Sequence, residues 1–162
     1  MLSDSIQKAI NEQMKNELYS AYLYLAMSAH FEAENLPGFA RWTRLQAKEE
    51  TEHAMKFFDY VTDSGGRVTL HAIDQPPVEY GSPLKVFESI LEHEKKVTGM
   101  IHNLYAAAVK ENDFATQVML HWFITEQVEE EKNASAIVEQ LKMAEEHKGI
   151  WVNIDHHVGK RE

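Results

Sequence analysis

The sequence contains no cysteine, which excludes disulfides, thiolate metal sites and cysteine nucleophiles. Chain-breakers are scarce too, with 7 Gly and 4 Pro in 162 residues. So few leave little room for a turn-rich β fold, while the many Glu, Ala, Leu, Lys and Met favour helices. No apolar run approaches the roughly 18 residues that would suggest a membrane span. The stretch from Met1 to Ile6 lacks the basic and apolar character of a signal peptide, so a cytoplasmic protein is expected. Positive charge is in deficit: Lys and Arg number 16 against 26 Asp and Glu, for a net charge of −10. That balance argues against a broad nucleic-acid-binding face and favours the attraction of cations. What remains is 44% hydrophobic, enough to bury one sizeable core as a single domain over residues 1–162.

Helical periodicity organises most of the chain. From about Ser3 to Glu34, the positions Ile6, Ile10, Met14, Glu17, Ala21, Tyr24 and Ser28 share one face, widened by Leu18 and Leu25. After the turn Asn35–Gly38, a second stripe carries Trp42, Gln46, Glu50, His53, Phe57 and Val61, and stops at Ser64-Gly65-Gly66. Arg67 to Gly81, with Pro76-Pro77, shows no helical period. Ser82-Pro83 reads as a helix cap followed by a first-turn proline. The third stripe is Val86, Ile90, Glu94, Val97, Ile101, Leu104 and Ala108, and Glu111-Asn112-Asp113 forms a tight connection. The fourth is Thr116, Leu120, Phe123, Gln127, Glu130, Ala134, Ile137 and Leu141, with a break expected at Lys148-Gly149. Ile150, Trp151, Ile154 and Val158 mark a short fifth element, and Gly159–Glu162 is expected to fray.

The stripes are interrupted by polar residues at matching places. Glu50 and His53 stand three apart on one helical face, amid an otherwise apolar stripe. A buried carboxylate beside a buried imidazole costs several kcal/mol unless compensated, and a metal ion is the usual compensation. Glu50 follows Glu17 by the same interval as Gln127 follows Glu94, and Gln127-x-x-Glu130 repeats the Glu50-x-x-His53 spacing. The pattern of a carboxylate followed by a ligand-x-x-ligand pair thus occurs twice. In each hairpin the three residues fall at one depth, near the middle of helices of about 27–32 residues, or roughly 40–48 Å. The connector between the hairpins, about 16 residues long and able to span roughly 50 Å, can run the length of the bundle. It sets the two half-sites face to face. Four glutamates, if ionised, balance two divalent cations, and oxygen-rich ligation with one imidazole suits iron or manganese. Zinc could bind as well, but without redox chemistry.

The set Glu17, Glu50-x-x-His53, Glu94 and Gln127-x-x-Glu130 resembles the ferroxidase centre of non-haem bacterial ferritins, over nearly the whole chain. Ferritin-like di-iron bundles are the reference case for inward-facing sites of this kind. The resemblance implies an all-α fold: a ferritin-like four-helix bundle with one long crossover and a short fifth C-terminal helix. It implies that Glu17, Glu50 and His53 hold one iron, that Glu94, Gln127 and Glu130 hold the other, and that Glu50 bridges them. Tyr24 matches a family tyrosine beside the centre, in a redox or hydrogen-bonding role. Glu49, Glu126 and Glu129 match a third iron site of bacterial members. The implied activity is that of a ferroxidase and iron store, which oxidises Fe(II) with dioxygen or peroxide and deposits ferric mineral inside a homo-oligomeric 24-subunit shell. Thr51 stands where haem-binding bacterioferritins carry methionine, so no haem is expected. Gln127-x-x-Glu130 departs from the second Glu-x-x-His of many di-iron carboxylate proteins and favours storage over substrate oxidation. Two alternatives remain open at the level of residues. One is a di-iron oxidase acting on an organic substrate; the other is a helical module with a structural metal site. His93, His121 and Trp122 flank the centre in sequence without an assigned ligand role.

Overall fold

The computed structural model describes residues 2–144 and 147–162. Five helices follow one another: α1 (Asp4–Ala33), α2 (Pro37–Asp63), α3 (Pro83–Lys110), α4 (Phe114–Met143) and α5 (Lys148–Val158). Among the described residues there is no strand. Ser3 Oγ accepts the amide of Ile6, Ser82 Oγ that of Lys85, and Asp113 Oδ1 that of Thr116. Each bond satisfies one free donor of a first helical turn. Pro37 and Pro83 sit in the opening turn, where no amide is needed.

One backbone device closes both hairpins. Asn35 and Asn112 adopt left-handed φ values of 57° and 55°, a conformation asparagine tolerates better than most residues. The next amide then returns to a carbonyl five residues back, Leu36 to Phe31 at 3.0 Å and Asp113 to Ala108 at 2.9 Å. This bonding satisfies carbonyls that the helix end would otherwise leave free. Identical turns at equivalent places give the two hairpins a common depth scale.

The crossover from Ser64 to Ser82 climbs along α1. The Arg67 amide donates to Gln7 Oε1 at 2.7 Å, and Asn11 both accepts from the Thr69 amide and donates to the Arg67 carbonyl. His71 pairs with Glu12 at 3.1 Å, and His30 reaches the Gly81 carbonyl at 3.0 Å. From Gln7 to His30 the ascent is roughly 35 Å of helix. The second hairpin is thereby laid across the first.

The core divides into two apolar regions. One contains Met27, Phe31, Phe39, Phe87 and Leu141; the other contains Ile10, Met14, Phe57, Ile101 and Phe123. Between them lies a layer of buried polar residues that includes Glu17, Glu50, His53, Glu94, Gln127 and Glu130. The seven central stripe positions from Ile6 to Ser28 on α1 are buried, as are the stripe positions of α2, α3 and α4.

Three expectations are corrected. The fourth helix ends at Met143, not at Lys148-Gly149, and α5 already begins at Lys148. Glu145 and Glu146, between the two, lie outside the described residues. The tail is docked, not frayed: its Arg161 reaches Gln46 and Glu49, and Arg41 holds the Arg161 carbonyl. Leu25 is no core residue of the isolated chain. It is exposed and lines, with Leu18, Tyr22 and Ile73, an apolar groove of about 800 Å³.

Helix α5 packs mainly on α2. The first turn of α2 has no side-chain cap of its own from Leu36. Buried Asp155 supplies one from α5, accepting the Phe39 amide at 2.8 Å. Gly38 permits the approach: a Cβ there would stand 1.7 Å from the Asp155 carbonyl oxygen.

Candidate metal centre

Each of the first four helices delivers side chains to the polar layer. From α2, Glu50 and His53 approach one another, with His53 Nδ1 at 3.3 Å from Glu50 Oε2. From α1, Glu17 Oε2 comes to 4.0 Å of the same His53 nitrogen. One donor atom from each of Glu17, Glu50 and His53 lies within 4.8 Å of the others. Glu17 Oε1 accepts from Gln13 at 2.8 Å, whereas Glu17 Oε2 is buried without a hydrogen-bond partner. A buried lone oxygen of this kind costs free energy unless a cation or a retained proton meets it.

The second hairpin closes the layer. Tyr24 on α1 donates its hydroxyl to Glu94 Oε1, and Gln127 Nε2 donates to Glu94 Oε2 at 3.2 Å. Gln127 Nε2 also lies 3.2 Å from Thr98 Oγ1, and Thr98 in turn donates to Glu131. Glu130 is tied to α2 by Gln46, whose Nε2 donates to Glu130 Oε2 at 2.7 Å and to Glu50 Oε1 at 3.2 Å. The expected six residues therefore meet at one level, drawn from four helices.

A second converging group is His53, Glu126 and Glu130, with His53 Nε2 at 3.9 Å from Glu126 Oε1. Of the expected accessory residues, Glu126 joins the centre. Glu49 is half-buried and ion-paired with Arg161, and Glu129 is exposed. Trp122 and Phe123 wall the imidazole, their rings 5.3 and 6.1 Å from that of His53. Lys56 lies over the outer face of the wall, 4.4 Å from the centre of the Trp122 ring.

So much buried acid distorts its own titration. Burial pushes the carboxyls of Glu17 and Glu50 well above their ordinary range, with the Glu50 charge adding for Glu17 and the Glu94 charge for Glu50. Burial raises Glu94 as well, against the opposing bonds from Tyr24 and Gln127. Glu130 is pushed up to about 8 by burial and then by Glu94. Burial beside these carboxylates likewise raises the Tyr24 hydroxyl. His93, edge-on to Tyr24 and bonded to Ser20 at 2.7 Å, is held down to about 4 by burial. A group of carboxyls that resist ionisation together, and include an oxygen without a partner, fits divalent cations as compensating charge.

Comparisons with known proteins identify the family. The family model for the ferritin-like domain matches residues 7–144. The bacterial non-heme ferritin of Bacteroides fragilis (strain 638R) is 44% identical over 161 residues, covering 99% of this chain and all of that protein. The chain belongs to the ferritin family. A second relative, the bacterial non-heme ferritin of Staphylococcus epidermidis, is 40% identical over 141 residues, or 87% of this chain and 85% of its own. Among solved structures, an open-pore ferritin from the hyperthermophilic archaeon Archaeoglobus fulgidus superposes with a TM-score of 0.98 at 46% identity, covering 99% of this ferritin and 98% of that chain. The all-α ferritin fold, a four-helix bundle with a short C-terminal helix, is thereby shown, as is membership of a family of iron-storage proteins.

Some residues of the layer were not singled out by sequence reasoning. Gln46 gave a signal, since it is a polar side chain on the core stripe between Trp42 and Glu50. Gln13 and Thr98 lie beside stripes and gave none. Arg161 gave none either, since its partners lie more than a hundred positions away.

Proposed function

We propose that this ferritin binds ferrous iron in pairs, oxidises it and stores the ferric product. Iron is the substrate and cargo of the reaction. One ion would lie among Glu17, Glu50 and His53, the other among Glu94, Gln127 and Glu130, with Glu50 between them. The observation that carries this reading is the buried, partnerless Glu17 Oε2 converging on Glu50 and His53. Two ferrous ions release two electrons. Dioxygen accepts them with two protons to give hydrogen peroxide, or hydrogen peroxide accepts them with two protons to give two waters. The protein's part is to position the ions, balance their charge and exclude side reactions. Tyr24, bonded to Glu94, would hold that carboxylate and stand within reach of the electron transfer. An accessory iron is proposed at Glu126 with Glu49 and Glu129. Glu126 already faces His53 and Glu130, while Glu49 would have to leave Arg161.

Residues 1–162 would act as one ferritin-like unit of a homo-oligomeric shell of 24 subunits in the cytoplasm, without haem and without nucleic-acid partners. The open-pore ferritin and the bacterial non-heme ferritins support this reading by their identity and coverage. Among the described residues no helix is long and apolar enough to cross a membrane.

Stopped-flow absorbance after mixing metal-stripped protein with ferrous iron and oxygen tests the assignment. Rapid oxidation that continues far beyond two irons per chain is the expected result. A trace that halts near two would point to an oxidase, and no oxidation at all to a structural metal site.

A further inference from the structure

The C-terminal tail reaches the carboxylate layer through a single side chain. Arg161 lies three residues beyond the end of α5, yet its side chain is only 20% exposed. Its Nη1 donates to Gln46 Oε1 at 2.9 Å, its Nη2 donates to Glu49 Oε2, and its Cζ stands 4.9 Å from the centre of the Trp42 ring. Arg41 fixes the backbone at the same point, donating to the Arg161 carbonyl from Nε at 3.3 Å and from Nη2 at 3.2 Å. The anchored guanidinium donates on one side to an acid and on the other to an amide.

The amide side carries the consequence. A guanidinium has only donors, so Gln46 must turn its oxygen toward Arg161. Its NH₂ group must then face the opposite way, where it donates to Glu130 Oε2 at 2.7 Å and Glu50 Oε1 at 3.2 Å. Flipped by half a turn, the same amide would present its oxygen to two carboxylates that must be ionised to hold a metal, with no proton left between them. We propose that Arg161 is a positioning residue of the carboxylate centre: by setting the orientation of the Gln46 amide, it holds Glu50 and Glu130 in place for iron. This rests on the reading of Glu50 and Glu130 as iron ligands. Arg161 acts through Gln46 and is not itself a ligand in this reading. It acts from the far end of the chain, so the centre is complete only once α5 and the tail have docked.

Binding of cobalt(II), which needs no oxidation step, provides the test. Titrations of the full-length metal-stripped protein, followed by calorimetry and by the visible cobalt spectrum, would compare the parent with Arg161→Met, Gln46→Leu and the double variant. Methionine keeps an unbranched stem over Trp42. Outer partners of metal ligands are worth about 10–100-fold in affinity, so each single variant is expected to bind cobalt about tenfold more weakly. The double variant is expected to bind no more weakly than either. A merely structural tail contact would lower affinity independently of Gln46, and the two losses would then multiply. Multiplying losses, or parental affinity in Arg161→Met, overturn the proposal while leaving the iron-site reading intact. Arg161→Lys has one ammonium in place of the fork and is expected to recover little affinity; full recovery would make charge alone responsible and overturn the amide argument. A parent chain that binds no pair of cobalt ions overturns the iron-site reading and this proposal together.

Discussion

Single residues in the polar layer trade stability for ion binding. Glu50 is buried, its carboxyl pushed well above the ordinary range by burial and by Glu94, and it faces both half-sites. Glu50→Gln keeps the volume, removes the ionisable group and leaves one oxygen where a bridge needs two. Initial ferrous oxidation in a stopped-flow trace is expected to fall by about 100-fold or more, since even indirect partners of metal ligands cost about 10–100-fold. A parental initial rate would end the bridging role. The same layer sets a pH dependence of the metal-stripped protein. Glu130 has its folded value raised from 4.5 to about 8, and Glu17, Glu50 and Glu94 move in the same direction. The stabilisation from such a raised carboxyl is complete below the unfolded value. It is lost as pH rises through the folded one, because between the two the unfolded chain has released a proton that the folded chain retains. Glu12, held low chiefly by its bond to Lys15, acts oppositely, and only as pH falls below its ordinary value. His93, held down to about 4 by burial, also acts oppositely, but its contribution is complete above its ordinary value of 6.5. Scanning calorimetry in chelator should therefore show the melting temperature falling from pH 6.5 to pH 8. Added divalent metal should reverse the loss by binding the folded state. A melting temperature that rises over that interval in chelator would contradict the assignment of buried, ion-free carboxyls.

Among the elements, α5 depends on α2 more than on its own helical tendency, since a helix of 11 residues is marginal alone. Ile154 and Val158 are buried, Trp151 is half-buried and Ile150 is exposed, so only part of the expected apolar face is covered within the chain. The docking is made by backbone closeness: Gly38 lies against the Asp155 carbonyl, and a Cβ on Gly159 would come within 2.7 Å of Gly38 Cα. Gly38→Ala must push the two helices apart and weaken the bond from the Phe39 amide to Asp155. Overpacking of this kind costs about 1–3 kcal/mol. Hydrogen exchange is expected to rise across residues 148–158 and the first turn of α2 while α3 stays protected. Unchanged exchange in α5 would show that the contact is not needed. The two asparagine turns belong to this scale as well, because each sets the depth at which its helix pair delivers a carboxylate and a ligand pair.

For the whole molecule, the apolar surface left uncovered is the informative feature. Tyr22, Leu25 and Ile73 are exposed along one groove, and Ile150 and Val152 on α5 are exposed at another place. Patches of this kind mark contact sites in soluble proteins, in keeping with a shell. Light scattering is expected to give a mass twenty-four times the 18.7 kDa of one chain. Deleting residues 149–162 removes the exposed α5 residues and Arg161 together, and is expected to weaken the shell or let iron escape from it. A truncated protein with full mass and full iron retention would remove α5 from the assembly.

The amino-acid sequence by itself determined the stripes, the turns and the six central residues. Helical period is a local property, and a glutamate or histidine that interrupts an apolar stripe is visible as soon as the stripe is read. Equal intervals within the two halves did the rest, because identical rises per residue turn equal spacing into equal depth. Membership of the stripe was legible even for Gln46, but not which way its amide faces. Only the tertiary structure decided that orientation, since it depends on Arg161, a donor brought back from beyond α5. The structure also separated the three accessory glutamates, giving Glu126 to His53, Glu49 to Arg161 and Glu129 to solvent. Neighbours in sequence point to different faces of a helix, and which face meets another helix is settled by packing between segments far apart in the chain.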